Sequence, residues 1–240
     1  MTIYAVGDIH GQLGMLEDAL AKIENDGGPN AQVIFLGDLV DRGPDSRGVI
    51  ELLSQGVAEG RNWTVLKGNH DRLYSYFLRP QPIVDTQILV GYHWLHPRIG
   101  GVGTLESYGI KVPEQVRYYQ LLPEALAVVP QSHIDFMNGL PTHHQLGELL
   151  FVHAGLRPGI PLEDQSEDDK IWIRGEFHNY TDPWPWLVVH GHTPVQQPTH
   201  YGNRVNLDSG AGYDRPMTTA VFEGRDCFIL DSDGRRKLTP

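Results

Sequence analysis

The feature that most constrains the fold is a pattern that occurs five times along the chain. Each time, an apolar run with the character of a β-strand ends in a short polar segment that contains glycine. Glycine allows a tight turn, and the carboxyl ends of parallel strands are where open α/β sheets bind ligands. The segments are GDIHG at residues 7–11, GDLVDRG at 37–43, GNHD at 68–71, HAG at 153–155 and GHT at 191–193.

The residues between these segments predict how strands and helices alternate. Helical spacing of apolar residues at 13–23, between strands at 3–6 and 33–36, predicts a βαβ unit. A helix after Pro44, a strand at 63–66 and, after the segment 68–71, a helix through Tyr74, Phe77 and Leu78 continue the pattern. Strands dominate the second half, at 149–152, 186–189, 204–207, 218–222 and 227–230. The sequence therefore predicts a mixed α/β architecture.

Residues 83–145 have the weakest pattern. Apolar residues between 88 and 95 suggest a helix, and residues 100–103 suggest a flexible glycine corner. Two more helices are expected within 114–129 and 132–137, because Pro or Gly ends each run. We expect a mainly helical insertion around 83–145 beside the site, within a single domain that spans residues 1–240.

Composition limits the classes of partner. Thirty acidic residues against 19 basic ones give a net charge of −11, which argues against binding nucleic acid or an anionic membrane surface. The single cysteine, Cys227, excludes an intramolecular disulfide and lies in an apolar run, so it is expected to be buried. No signal segment precedes the first strand, and no apolar run has the roughly 20 residues of a membrane helix. A cytoplasmic protein is expected.

The polar segments supply candidate metal ligands of one chemical kind. Carboxylate, amide and imidazole groups are present, and none of the segments contains a thiolate. Such a set suits octahedral Mn²⁺ or Fe better than a structural Zn²⁺ site. An isolated histidine is more often structural than a ligand, so His190, two residues before the GHT histidine, is expected to be a neighbour of the metals. The candidate ligands are Asp8, His10, Asp38, Asn69, His153 and His192.

The five segments, in this order, resemble the phosphoprotein phosphatase family of metallophosphoesterases, and particularly its small bacterial and phage-type Ser/Thr protein phosphatases. The resemblance runs from Gly7 to Thr193. It implies two mixed β-sheets packed as a sandwich and flanked by helices. It also implies two divalent ions, with Mn²⁺ favoured and Fe or Zn²⁺ as alternatives. Asp8, His10 and Asp38 would hold one ion; Asp38, Asn69, His153 and His192 would hold the other.

The resemblance also implies catalytic and substrate-binding roles. His70 would protonate the leaving oxygen and Asp41 would orient the His70 imidazole. Arg42 matches an arginine that holds phosphate, and a planar guanidinium suits bidentate phosphate recognition. Arg174 resembles a second phosphate arginine of the bacterial members, although a salt bridge with the acidic residues at 163–169 is the alternative. Tyr213 is expected to line the site wall. Many metallophosphoesterases end the last segment with a second histidine, where this chain has Pro194.

These residues predict a metal-dependent phosphomonoester hydrolase, with a protein serine/threonine phosphatase as the leading function. The symmetrical diadenosine tetraphosphatases share the five segments and are the alternative, although we expect them to lack Asp at the Asp41 position. A non-catalytic phosphopeptide-binding module is the third hypothesis, which the complete ligand set disfavours. The expected partner is a phosphoprotein or a small phosphoester, with no nucleic acid and no membrane. The sequence does not predict the oligomeric state.

Overall fold

Strands and helices alternate early in the chain and strands dominate later, in a computed structural model that describes residues 1–240 apart from the side chain of Tyr118. The strands are β1 (Thr2–Val6), β2 (Gln32–Phe35), β3 (Trp63–Val65), β4 (His143–Leu146), β5 (Leu149–Val152), β6 (Leu187–His190), β7 (Thr199–His200), β8 (Arg204–Asn206), β9 (Thr219–Glu223), β10 (Asp226–Asp231) and β11 (Gly234–Leu238). The α-helices are α1 (Leu13–Gly27), α2 (Ser46–Ala58), α3 (Asn69–Phe77), α4 (Gly101–Ser107), α5 (Leu122–Val128), α6 (Gln131–Gly139), α7 (Glu167–Trp172) and α8 (Gly175–His178).

The strands form two mixed sheets. The first has the order β11-β10-β9-β1-β2-β3, and the second has the order β4-β5-β6-β8-β7. β1, β2 and β3 are parallel to one another in the first sheet, and β5, β6 and β8 are parallel in the second. The predicted α/β fold, two mixed sheets flanked by helices, is confirmed.

Alternation along the strands explains why two sheets pack together. Ile3 and Ala5 of β1 belong to the apolar cluster between the sheets, whereas Tyr4 and Val6 belong to the cluster under α1, α2 and α3. Successive side chains of a strand point to opposite faces, so one strand contributes to both layers. Between the sheets, the Phe151 ring meets the Phe222 ring edge-on at 6.0 Å. Helices α1, α2 and α3 cover the outer face of the first sheet, and Phe177 of α8 packs against Leu150 and Val188 on the outer face of the second.

This arrangement brings the polar segments to one edge of the sandwich. All five follow the carboxyl ends of parallel strands, namely β1, β2, β3, β5 and β6. The edge is held by bonds between the segments: Gly191 donates its backbone N–H to the His153 carbonyl oxygen at 2.8 Å, and Gly43 donates to His10 at 2.9 Å. Short segments from both sheets therefore share one surface.

The structure corrects the prediction for residues 83–145. Residues 83–100 contain no helix, so the helix expected between 88 and 95 is wrong. The glycine corner expected at 100–103 is instead the start of α4, which begins at Gly101. The helix expected across 114–129 is confined to a 3₁₀ turn at Tyr118–Gln120 and to α5. Strand β4 lies partly inside this region, and β7 and β11 were also not predicted.

No helix among the described residues is both long enough and apolar enough to cross a lipid bilayer.

Candidate active site

The backbone at the site is held in an uncommon conformation. Six non-glycine residues in the described part of the chain have positive φ, and five of them are predicted site residues. Such left-handed conformations are uncommon outside glycine and persist only where the surrounding structure enforces them. The five are His10 (φ 49°), Asp38 (φ 50°), Asp41 (φ 74°), Arg42 (φ 71°) and His192 (φ 67°).

Two glycines allow the segments to approach one another. A Cβ atom on Gly68 would collide with the carboxylate of Asp38, and one on Gly191 would collide with the carboxylate of Asp8. Only a residue without a side chain fits at either position. This packing explains why glycine precedes Asn69 in GNHD and His192 in GHT.

Asp38 lies between two groups of potential ligand atoms. Its Oδ2 is 3.5 Å from Nε2 of His10, and its Oδ1 is 3.4 Å from Nε2 of His153. The first group joins Asp38 to His10 and His70, and the second joins it to His153 and His192. Each oxygen of one carboxylate faces a different group. Asp38 is therefore placed where a ligand shared by two ions would be.

Backbone carbonyls set the orientation of two of these imidazoles. Nδ1–H of His10 donates to the Val40 carbonyl at 2.9 Å, and Nδ1–H of His153 donates to the Leu36 carbonyl at 2.9 Å. With Nδ1 acting as a donor, each ring turns Nε2 toward Asp38, and Nε2 is the atom that offers a lone pair to a metal ion when the ring is neutral. Lone pairs and carboxylate oxygens that converge in a buried space require a positive charge between them. The donor set therefore fits metal cations.

Asn69 and His192 complete the second group. Oδ1 of Asn69 lies 3.1 Å from Nε2 of His153 and 2.8 Å from Nδ1 of His192. The three side chains are buried, and burial followed by the nearby His153 lowers the pKa of His192 well below its ordinary value. A neutral imidazole is the form that binds a metal. The structure brings Asn69, His153 and His192 together with Asp38; that they hold a metal ion stays a prediction.

The acidic groups around His153 favour a positive charge at this position. Burial lowers the pKa of His153, but the carboxylates of Asp38, Asp8 and Asp71 outweigh burial and raise it to about 9. Without a metal ion, the neighbouring acidic groups, Asp38 first, thus favour a proton on Nε2 of His153. A divalent ion would replace that proton, because a ligating imidazole must be neutral.

Asp8 lies at the border of the two groups. Its carboxylate is buried and accepts hydrogen bonds from the backbone N–H of His192, at 3.1 and 3.2 Å. Asp8 is not among the atoms that cluster with Asp38. Burial, followed by repulsion from Asp208, raises the pKa of Asp8 well above its ordinary value. A nearby cation would return Asp8 to the carboxylate form.

His70 and Asp41 form a buried pair. Nδ1 of His70 lies 2.6 Å from Oδ2 of Asp41, so the two atoms share one hydrogen bond. Asp41 also accepts hydrogen bonds from Nε1–H of Trp94, at 2.9 and 3.0 Å to its two oxygens, and from the hydroxyl of Thr104 at 2.8 Å. Trp94 and Thr104 belong to residues 83–145, where the sequence pattern was weakest, and no motif indicated a role for them. The carboxylate is thus held by three side chains.

Burial controls the charge of this pair. It raises the pKa of Asp41 to about 8 and lowers the pKa of His70 to about 3, because both charged forms lose their hydration. The hydrogen bonds from Thr104 and Trp94 act in the opposite direction at Asp41, since they stabilise its carboxylate. Near neutral pH these shifts favour an uncharged imidazole and a protonated Asp41, so the pair is neutral and holds a proton that it can release.

Arg42 joins the metal-binding and acid–base parts of the site. Its guanidinium contacts Nε2 of His10 at 2.7 Å and Nε2 of His70 at 3.0 Å. The same group stacks over the ring of Tyr213, 4.8 Å from the ring centre. Tyr213 is thus a wall residue, as predicted. A guanidinium held between these imidazoles is in position to meet a phosphoryl group at the metals.

Arg174 is exposed and lines an open cavity of about 1100 Å³ together with Arg42 and Tyr213. The alternative partner for Arg174 was the acidic segment 163–169, but other basic residues pair with that segment. Arg157 pairs with Asp169, Arg72 with Asp168, and Lys67 with Glu167. Among the described residues, no carboxylate forms a salt bridge with Arg174, so its charge faces the cavity.

Two other residues have structural positions at the site. His190 is buried beside Phe177 and lies 3.4 Å from Arg204, outside both groups of ligand atoms, as expected. Asp71, the last residue of GNHD, was not predicted to have a role. Its oxygens accept 2.8 Å hydrogen bonds from the backbone N–H groups of Leu39 and Gly68. Asp71 therefore joins the segments after β2 and β3, and the aspartate in the motif was the available signal.

The two-sheet fold and a buried donor set that requires cations define a metal-dependent phosphoesterase. The family model of the calcineurin-like phosphoesterases matches residues 1–216, and the chain belongs to this family. Members use a dinuclear divalent metal site, and the clustered donors described above are the candidate ligands. The chain is accordingly a hydrolase of the metallophosphoesterase class.

Relatives and solved structures agree with this placement. The chain is 27% identical to the asymmetrical bis(5'-nucleosyl)-tetraphosphatase PrpE of Oceanobacillus iheyensis, over 97% of this chain and 93% of the relative. A solved structure provisionally named a diadenosine tetraphosphatase is 24% identical, with a TM-score of 0.65, and the match covers 95% of this chain and 92% of that one. The structure of a cold-active protein-tyrosine phosphatase from a psychrophilic Shewanella is 16% identical, with a TM-score of 0.63. That match covers 99% of this chain and 80% of that one. The two structural matches show the fold alone.

Proposed function

We propose that the chain is a phosphatase that hydrolyses phosphomonoesters, with phosphoserine and phosphothreonine of proteins as its leading substrates. The buried pair of His70 and Asp41 carries this proposal. A serine or threonine alkoxide is a poor leaving group, so its departure benefits from a proton donor in the transition state. A donor whose carboxylate partner is held by Trp94 and Thr104 is suited to this task.

In this proposal the ligands are divided between two ions as the motifs imply. Asp8, His10 and Asp38 hold one ion, and Asp38, Asn69, His153 and His192 hold the other. Two such ions, with Mn²⁺ favoured, would supply an activated water for in-line attack on phosphorus and would neutralise charge on the phosphoryl oxygens. The carboxylate of Asp38, which faces both groups, is the shared ligand.

The remaining residues bind the phosphoryl group and move the proton. Arg42 and Arg174 hold phosphoryl oxygens, since both line the same cavity and the planar guanidinium matches phosphate geometry. When Arg42 binds the phosphoryl oxygens instead of Nε2 of His70, the neutral imidazole carries its proton on Nε2 and gives it to the leaving oxygen, while the proton of Asp41 passes to Nδ1. Asp41 keeps the imidazole oriented and takes the negative charge that the pair retains after donation. The pair regains its proton from the water that is consumed.

Hydrolysis of dinucleoside tetraphosphates is the second candidate, and the Oceanobacillus relative favours it. That relative is named for asymmetrical cleavage, whereas the sequence alternative was symmetrical cleavage. A nucleotide phosphate is a better leaving group than an alkoxide, and therefore needs His70 and Asp41 less. The cationic cavity beside the site would accept either kind of substrate.

Rates on three substrates test the proposal: a phosphoserine peptide, a phosphotyrosine peptide and diadenosine tetraphosphate, each with Mn²⁺. We expect the highest kcat/KM on the phosphoserine peptide. A preference for diadenosine tetraphosphate would establish the second candidate. No turnover of any of these or of para-nitrophenyl phosphate would favour a non-catalytic binding module.

The His70→Asn variant tests the step that carries the proposal. It should keep both metal ions and lose about 10²- to 10⁴-fold on the phosphoserine peptide, which is the range for general acid catalysis. The loss on para-nitrophenyl phosphate should be smaller, because para-nitrophenolate leaves without a proton. Equal losses on both substrates, with the metals retained, would show that His70 acts by electrostatics or positioning.

A further inference from the structure

The cavity beside the metal ligands holds more positive charge than one phosphoryl group needs. Arg42, Arg98 and Arg174 line it, and Glu106 is the only acidic residue in its described lining. This concentration occurs in a chain with a net charge of −11. Charged clefts with low-dielectric walls focus the field and raise the local concentration of a ligand of opposite charge. The cavity therefore selects anions on a protein that otherwise repels them.

The three arginines are also free of internal carboxylate partners. No salt bridge joins any of them to an acidic side chain within the part of the chain that the structure describes. Of the 11 arginines elsewhere in the sequence, five form such salt bridges and six do not, so what distinguishes these three is that they line one cavity. The paired arginines are Arg61, Arg72, Arg157, Arg235 and Arg236. The charges in the cavity are available to an external ligand.

Arg98 is the residue in this group that neither motif nor family resemblance indicated. The loop that carries it is attached to the site at both ends. Four residues before it, Trp94 donates to Asp41, and two residues after it, the Gly100 carbonyl accepts a 3.2 Å hydrogen bond from the backbone N–H of Arg42. The backbone position of Arg98 is therefore set relative to the residues that would hold the scissile phosphoryl group, while its side chain is exposed.

A single phosphate monoester carries roughly −1.5 to −2 charges at neutral pH, and two ions with Arg42 and Arg174 already match its oxygens. We propose that Arg98 binds a second phosphate group of the substrate, one that is not cleaved. Pro97, Val102 and Tyr213, also in the lining, provide apolar wall for the organic part between the two phosphates. This inference rests on the proposed binding of the scissile phosphate at Arg42 and Arg174.

Two sources supply such a second phosphate: a neighbouring phosphorylated residue of a peptide, and the polyphosphate chain of a dinucleotide. Each source defines a pair of ligands that differ in phosphate number. The first pair is a singly and a doubly phosphorylated peptide of the same sequence, and the second is AMP and diadenosine tetraphosphate. Dissociation constants are measured by calorimetry on protein saturated with Mn²⁺, in the His70→Asn background for the peptides and with a methylene-bridged, non-hydrolysable analogue in place of diadenosine tetraphosphate, so that no ligand turns over during the titration.

With Arg98 present, the ligand with more phosphates should bind about 10-fold more tightly than its partner in at least one pair, because a charged hydrogen bond has this magnitude. Arg98→Ala should remove most of that preference, and Arg98→Lys should retain part of it. The pair that shows the preference identifies the source. If Arg98→Ala leaves the preference of both pairs unchanged, or if neither pair shows one with Arg98 present, the inference is wrong.

A matched control separates Arg98 from a general loss of positive charge. Arg225 lies in the turn between β9 and β10, and Glu223 beside it pairs with Thr2 at the start of β1, away from the site edge. Arg225→Ala should leave both preferences intact. Failure of the proposed function has a different signature: the protein with His70 then turns over no phosphoester, whatever the outcome for Arg98 binding.

Discussion

Replacing Trp94 by Phe tests how the insertion controls proton transfer. After His70 gives up its proton, the negative charge of the pair resides on Asp41, and the indole N–H of Trp94 stabilises that carboxylate at 2.9 and 3.0 Å. The substitution keeps a buried ring but removes the donor. Thr104 and His70 remain as hydrogen-bond partners of Asp41. Proton donation should therefore become more costly, while the metal ligands stay in place.

The magnitude follows from this single contact. A hydrogen bond to a charged group contributes roughly 1.5–3 kcal/mol, which corresponds to about a 10- to 100-fold loss of kcat/KM if the full charge has developed in the transition state. The loss should reach this range on a phosphoserine peptide and should be several-fold smaller on para-nitrophenyl phosphate. A series of aryl phosphates measures it directly, since the slope of log kcat/KM against leaving-group pKa should become steeper in Trp94→Phe.

Two controls show whether the effect acts through His70. Trp184 is another buried tryptophan, and its indole N–H has no partner in the described structure, so Trp184→Phe loses similar packing without touching Asp41. It should leave the leaving-group slope unchanged. In the His70→Asn background, Trp94→Phe should cost little further, because coupled residues are not additive. A uniform loss over all leaving groups, or a full additional loss without His70, would refute the reasoning.

Other predictions concern the metals, the phosphate and the core. Saturation with Mn²⁺ should give two ions per chain by elemental analysis, and a result of one ion at most would oppose the assignment. Asp38→Asn should lose more activity than Asp8→Asn because Asp38 faces both groups, and equal losses would leave its shared role unsupported. Arg42→Ala should reduce turnover and weaken inhibition by inorganic phosphate, each by about 10- to 100-fold. Arg174→Ala should change the same two quantities, and no change would exclude it from phosphate binding. Burial raises the pKa of the Cys227 thiol to about 12, so a disulfide reagent at pH 8 should label it only on unfolding; rapid labelling of the folded protein would contradict this.

The fold was largely predictable wherever strand and segment alternate. Strands β1, β2, β5 and β6 are buried apolar runs that end at glycine or histidine, so local pattern and tertiary role agree in them. The region 83–100 was not predictable. Trp94 and Leu95 are buried there without any helix, because Trp94 is fixed by hydrogen bonds to Asp41, 53 residues earlier in the chain. Periodicity reports local structure and contains no information on such contacts. Whether residues 1–240 form a single domain stays a prediction.

The candidate site likewise has features that local sequence predicts and features that only tertiary contacts decide. By itself, the sequence determined the kinds of ligand, their order and the class of chemistry, because Asp, Asn, His and Gly stand in short segments directly after strands. Tertiary structure alone decided which way His10 and His153 present their lone pairs, since the carbonyls of Val40 and Leu36 accept from them across the fold. Tertiary contacts alone also hold the loop of Arg98 beside the site, through Trp94 and Gly100. The physical reason is that these contacts join residues distant in the chain, which only packing of the two sheets and the insertion brings within hydrogen-bond distance.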